Sequence, residues 1–321
     1  MSDHCAFNGD ADGLCALQQL RLAGELDEEV RLLSGVKRDI ALLQWVRAGR
    51  GERVTVLDIG HEQNRAAAAR LLADGASLRY FDHHYAGELP EHPRFQCFID
   101  TAADVCTSIL VDRYLYGHHQ RWAVAAAFGD GLAGAARALA AQHGLEDGEV
   151  AALEELGRLL NYNAYGDSLA DLHFDPVALA GELRPFADPL EFARHSASFA
   201  TLRAGYAADM AAAASLEPWR EGPGALLYRL PAAPWARRVS GVLANQLAAR
   251  YPQRALGLLS ARADGDWSFS LRVPATASLE ADAFCRGFIT GGGRKRAAGI
   301  NRLVEATLEA FAKTLLASYP G

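Results

Sequence analysis

Two stretches of this 321-residue chain set acids and imidazoles side by side. One is NGDADG, with Asp10 and Asp12, and the other is FDHHYAG, with Asp82, His83 and His84. Asp58 in VTVLDIG and Asp130 in AAAFGDG share the same kind of setting. Carboxylates and imidazoles with no cysteine among them suit hard or borderline divalent ions such as Mn²⁺ and Mg²⁺. Acids gathered in one place would raise one another's pKa unless a cation neutralised them. Five or six donors leave room for two ions roughly 3.5–4 Å apart sharing one carboxylate. Gly9, Gly13, Gly60, Gly129 and Gly131 stand beside these acids, where tight turns are expected.

Each stretch also has a plainer reading. GDADG alone serves as a loop or a helix N-cap, and a lone Asp at a strand end is commonly a cap. His118-His119, in YLYGHHQRW, is an imidazole pair with no acid beside it and no strand before it; it reads as solvated loop. The case for a site therefore rests on co-occurrence.

The elements that must position these residues alternate. Apolar runs HCAF, EVRLLSG, RVTVL, SLRYFD and RFQCFID are separated by helical patterns in GLCALQQLRLAG, RDIALLQWVRAG and EQNRAAAARLLADG, and CTSILVDRYLYG follows the last run. That alternation predicts an α/β chain with a mostly parallel sheet covered on both faces. Ligands of such sheets bind beyond the carboxyl ends of the strands, where Asp10, Asp12, Asp58 and Asp82–His84 all fall. Residues 122–165 read as helical, and 188–216 as a further helix. A second strand–helix series follows from ALLYRL onward. The expected organisation is a metal-binding domain over 1–187, a helical connector over 188–220 and a smaller α/β domain over 221–321.

Composition narrows the function. A formal charge of −7 argues against a broad grip on long nucleic acid. No run of about 18 apolar residues offers a membrane span. Cys5, Cys15, Cys97, Cys106 and Cys285 are scattered without a C-x-x-C pair, as reduced thiols of a cytoplasmic protein would be. No G-x-G-x-x-G follows the first strand, which removes a dinucleotide-binding oxidoreductase.

Taken in order, NGDADG, LDIG, FDHH and FGDG resemble the motifs of the DHH-family phosphoesterases, among them RecJ-like exonucleases and nanoRNases. SLRV, with Arg272, and GGGRKRAAG (291–299) resemble the DHH-associated C-terminal domain. The resemblance spans nearly the whole chain. It implies that Asp10 and Asp58 hold one Mn²⁺ and that Asp12, Asp58, His83 and Asp130 hold a second, with Mg²⁺ or Co²⁺ as alternatives. Water activated by both ions would attack phosphorus. His84 would contact the phosphoryl oxygens or assist the leaving group, and Asp82 would orient an imidazole.

Two departures stand out. Asn8 occupies a position where members carry His or Asp, and an amide can ligate only without charge. Arg294 replaces the histidine of the glycine-rich motif. With Lys295 and Arg296 it forms a basic cluster after Gly291, Gly292 and Gly293, suited to an extra phosphate or carboxylate or, more plainly, a solvated charge run. The expected substrate is small and phosphorylated, a short oligonucleotide or a phosphorylated nucleotide. The alternatives are an inorganic polyphosphate or pyrophosphate hydrolase and a catalytically weakened nucleotide sensor. Phe269 is the one aromatic residue of the FSLRV strand placed to stack on a base. Residues 161–174 read equally as a cleft-lining loop or a buried polar corner, and a homodimer is left open.

Overall fold

The computed structural model describes residues 3–262 and 264–321. The chain divides into two compact units, 1–205 and 206–321. In the first, β1 (His4–Phe7), α1 (Ala11–Leu22), β2 (Arg31–Leu33), β3 (Arg53–Leu57), α2 (His61–Ala73), β4 (Ser77–Asp82) and β5 (Phe95–Ile99) build an all-parallel sheet in the order β2-β1-β3-β4-β5. The inner strands carry unbroken apolar runs because both faces are covered: Phe7, Val54, Val56, Leu78, Tyr80 and Phe81 are all buried. Strand order reverses between β1 and β3, the point at which open α/β sheets leave a crevice.

Helices complete the unit: α3 (Thr107–Tyr114), α4 (Gln120–Gly129), α5 (Ala133–Gln142), α6 (Asp147–Asn163), α7 (Pro176–Leu183), α8 (Pro189–His195) and α9 (Ala197–Ala214), the last running on into the second unit. The helical stretch expected over 122–165 is broken twice. Gly131, at φ +80°, ends the first piece, and a reciprocal Glu146–Glu149 capping box opens the third. The stretch expected over 188–216 is likewise two helices, parted at Ser196, whose backbone is extended. Phe192 and Phe199 are buried, and Phe192 packs against both Phe186 and Phe199, so α8 and the start of α9 belong to the first unit's core.

The helix expected in RDIALLQWVRAG does not form; only a 3₁₀ turn, Leu42–Trp45, is present. Side chains of α2 take the backbone groups a helix would have used. Asn64 Oδ1 accepts from Leu43 N–H (3.1 Å) and its Nδ2 donates to the Ile40 carbonyl (2.7 Å). Arg70 donates to the carbonyls of Leu43 and Val46.

In the second unit, β6 (Arg220–Gly222), β7 (Ala225–Arg229), α10 (Pro234–Arg250), β8 (Ala255–Ala261), β9 (Trp267–Arg272), α11 (Ala281–Cys285), β10 (Gly291–Arg294), β11 (Ala297–Leu303) and α12 (Leu308–Ser318) form a mixed sheet ordered β10-β11-β9-β8-β7-β6. Among the described residues of this sheet, only β7 and β8 pair in parallel. Along β9 the pattern alternates: Trp267, Phe269 and Leu271 enter the core, while Ser268, Ser270 and Arg272 take the other face. Phe269 packs edge-on against Phe311, with ring centroids 4.7 Å apart, and is 3 % exposed. It is a core residue and cannot stack on a base.

Candidate functional site

The sheet ladder runs right up to the acids. Asn8 N–H donates to the Leu57 carbonyl, and Asp58 N–H donates to that of Phe81. Asp10 then caps α1, its Oδ1 accepting from the N–H groups of Asp12 and Gly13 (3.0 and 3.2 Å). Asp12, in the first turn of α1, accepts from the first turn of α3: Thr107 N–H at 2.7 Å on one oxygen and Ser108 N–H at 2.7 Å on the other. Thr107 Oγ1 also reaches Asp58 Oδ1 (3.3 Å). The left-handed residue of the DIG turn is Asp58 itself, at φ +58°, rather than Gly60. Strain of this kind at a non-glycine persists where the surroundings impose it, and it turns the carboxylate into the crevice.

Asp82 closes β4. Its Oδ1 accepts from His83 N–H (2.9 Å) and lies 2.7 Å from His84 Nδ1, and its Oδ2 is buried without a partner. His83 Nε2 points to the centre of the cluster, 3.3 Å from Asp58 Oδ1, 3.7 Å from Asp130 Oδ2 and 3.9 Å from Asp12 Oδ2. Asp130 enters from the C-terminus of α4. His84 is half exposed and stands at the mouth.

Asp10, Asp12, Asp58 and Asp82 are at most 2 % exposed, so their charges must be answered inside the protein. Burial, then the charges of Asp10 and Asp12, push the Asp58 carboxyl well above the usual carboxylate range. Burial and Asp12 likewise push Asp130 up to about 6, against the pull of Lys37. Asp10 goes the other way: burial alone would raise it, but the Lys37 ammonium holds it below the ordinary value. The hydrogen bond to Asp82 raises His84, against burial.

Lys37 is the residue that a search for acids and imidazoles misses. It follows β2, at the same sheet edge. Its Nζ donates to Asp10 Oδ2 (2.5 Å) and to Asn161 Oδ1 (3.1 Å), and lies 3.7 Å from Asp130 Oδ1. Residues 161–174 begin in the last turn of α6, and their polar groups divide. Asn161 belongs to the site, whereas Tyr162 with His173 (2.7 Å) and Asn163 with Phe174 form a buried corner. Thr107 and Ser108 carry no such signal either, since a Cys-Thr-Ser run entering a helix reads as an ordinary helix start.

Among the described residues, two triads are spaced to hold a divalent ion. Asp12, His83 and Asp130 offer atoms within 4.8 Å of one another, as do Asp58, His83 and His84. One ion with bonds of about 2.1 Å can bridge such separations after small side-chain shifts. Asp10 lies in neither triad. Asn8 Oδ1 is buried and has no hydrogen-bond partner.

The substrate-side residues expected from the sequence lie in the second unit. Gly291–Arg294 and Ala297–Leu303 pair as an antiparallel hairpin. Gly293, at φ +147°, has its α-hydrogen side so close to Ala298 that a Cβ would sit 2.4 Å from the Ala298 Cα. Arg294 and Arg296 are exposed at the hairpin end, and Lys295 lies 3.1 Å from Glu280. Arg272 donates to Asn245 Oδ1 (3.1 Å) and Ser270 Oγ (3.1 Å).

No family model matches the chain, and no curated protein is significantly similar to it. Solved structures do match. An exonuclease RecJ bound to manganese is 18 % identical, with a TM-score of 0.54 over 99 % of this chain and 90 % of that one. RecJ from Thermus thermophilus in complex with Mn²⁺ is 20 % identical, with a TM-score of 0.55; the match covers 98 % of this chain but only 51 % of that longer one. The pGpG-specific phosphodiesterase PggH from Vibrio cholerae is 12 % identical, with a TM-score of 0.57 over 99 % and 98 % of the two chains. The chain thus has the RecJ-like fold, a parallel-sheet unit followed by a mixed-sheet unit, which is the fold that the resemblance of its motifs implies.

Proposed function

We propose that the protein is a metal-dependent phosphoesterase of the DHH type that hydrolyses a small phosphorylated substrate, a short oligonucleotide or a phosphorylated nucleotide. The observation that carries this reading is the convergence of Asp12, Asp58 and Asp130 around His83 Nε2, at the point where strand order reverses. Buried acids with raised pKa values are kept ionised at neutral pH most simply by a divalent cation. The oxygen and imidazole donors suit Mn²⁺, the ion held by the similar RecJ structures. Asp12, His83 and Asp130, with Asp58 beside them, would hold it. A bound divalent ion would supply Lewis-acid charge and acidify the attacking water.

The remaining steps fall to the chain's own groups. His84, backed by Asp82, would give its proton to the leaving oxygen; the hydrogen bond to Asp82 raises its pKa and so favours the protonated form. Asp82→Asn should therefore lower kcat about 10–100-fold. It should also move the alkaline limb of the pH–rate profile to lower pH, because His84 loses the partner that raises it. An unmoved limb would remove His84 as the acid.

A cleft of about 370 Å³ beside His84 favours a nucleoside over an inorganic chain. Its walls include Ile40 and Tyr85, which are 52 % and 72 % exposed, together with Gln63 and Asp39. An exposed phenol ring next to the proton donor offers a stacking surface. The similarity to a pGpG-specific phosphodiesterase puts linear dinucleotides first among substrates to try. The Arg294–Arg296 turn would hold a distal phosphate, so Arg294→Ala should raise KM about tenfold with kcat little changed. An equal loss in kcat would place that guanidinium on the reacting phosphate instead.

The test is a Mn²⁺-supplemented hydrolysis panel of dinucleotides, 3′-phosphoadenosine 5′-phosphate, cyclic dinucleotides, pyrophosphate and a longer single strand. Turnover of one nucleotide class supports the reading. Turnover of pyrophosphate alone selects an inorganic hydrolase, and nucleotide binding without any turnover selects a sensor.

A further inference from the structure

The place that the resemblance reserves for a first ion would draw on Asn8, Asp10 and Asp58, and it does not fit a divalent cation well. Asp10 has both oxygens engaged: Oδ1 with two backbone N–H groups of α1, Oδ2 with the Lys37 ammonium at 2.5 Å. Asn8 keeps an open oxygen, but a neutral amide cannot offset the repulsion between a divalent ion and an ammonium resting on the same carboxylate. Asp58 already faces His83 and Thr107.

Lys37, by contrast, is built in. An ammonium has three donors, and here three acceptors surround it, on Asp10, Asn161 and Asp130. Its backbone N–H is held by the Ala164 carbonyl (2.9 Å), and the next residue, Arg38, pairs with Asp167 (2.6 Å). The Tyr165 ring lies 5.7 Å from Nζ. Two segments more than a hundred residues apart in sequence thus converge to aim one lysine at one aspartate.

We propose that the Lys37 ammonium takes the place of the first metal ion, so that the chain works with one divalent ion, on Asp12, His83, Asp130 and Asp58, and one fixed organic cation. Lys37 then supplies positive charge towards the phosphoryl group from the side that a second ion would have occupied. This rests on the metal-dependent reading above.

The test is a count of metal on the full chain, stripped with chelator and reloaded with Mn²⁺, by elemental analysis after gel filtration, together with its electron paramagnetic resonance spectrum. One Mn²⁺ per chain with the six-line spectrum of an isolated ion is expected. Two per chain with an exchange-coupled spectrum would overturn the inference and leave the phosphoesterase reading standing. No Mn²⁺ at all would sink both. Lys37→Gln frees Asp10 and should bind a second Mn²⁺, with coupling appearing in the spectrum. A folded Lys37→Gln that still binds one would assign the exclusion to Asn8 and overturn the role given to Lys37. Should that variant not fold, Lys37→Met, which also removes the charge, takes its place with the same two outcomes.

Discussion

Asp58→Asn should abolish turnover, with a loss on the order of 10³-fold, because a catalytic cation is worth several kcal/mol of transition-state stabilisation. Asp58 belongs to one candidate triad and faces the residue that both share: its Oδ1 is 3.3 Å from His83 Nε2, and 3.9 Å from His84 Nδ1. Asparagine is the informative replacement. It removes the charge yet tolerates the left-handed backbone at φ +58°, where alanine would add strain. The folded variant should also bind Mn²⁺ far more weakly by calorimetry. Turnover within a few-fold of wild type would show that the metal centre is assembled without this carboxylate.

The second large effect has opposite signs for stability and for function. Asp130→Asn should stabilise the metal-free protein at pH 7 while destroying its metal affinity. With its pKa lifted from 3.8 to about 6, Asp130 binds a proton more tightly in the native state than in the unfolded chain. Stability from this group is therefore present below about pH 4, declines as pH rises through the interval up to about 6, and stays low above it. A lift of this size corresponds to about 1–3 kcal/mol. The variant carries no such penalty, so denaturant titrations of the two metal-free proteins should coincide near pH 4 and separate by pH 7. Saturating Mn²⁺ should restore only the wild type. A variant that is less stable than wild type at both pH values would mean that Asp130 is held by its contact with Lys37 rather than strained by the other acids.

The same balance explains why the site sits where it does. Four buried carboxylates are a liability that a fold keeps only where it is offset. Here the offsets are the Lys37 ammonium, the N–H groups at the starts of α1 and α3, and the Thr107 hydroxyl.

Much of this was legible from the order of residues alone. The parallel sheet followed from apolar runs alternating with helical periods. The placing of Asp10, Asp12, Asp58 and Asp82–His84 at one edge followed from each standing just after a strand, because in a parallel sheet every strand ends on the same side. That inference needs only local pattern. The same pattern holds for Lys37, a cation that follows β2 at that edge.

Other features were out of reach. The helix expected over RDIALLQWVRAG was lost to Asn64 and Arg70, two polar side chains of another element that claim its backbone. Phe269 looked like a stacking platform until the pleat turned it inward against Phe311. That Lys37 meets Asn161, and that the start of α3 grips Asp12, are contacts across 124 and 95 residues of chain. Local pattern decides which residues stand at a strand end, because backbone sterics and burial act over a few neighbours. Which charge answers which is decided only when distant segments pack, because a buried carboxylate takes whatever donor the tertiary structure delivers within about 3 Å.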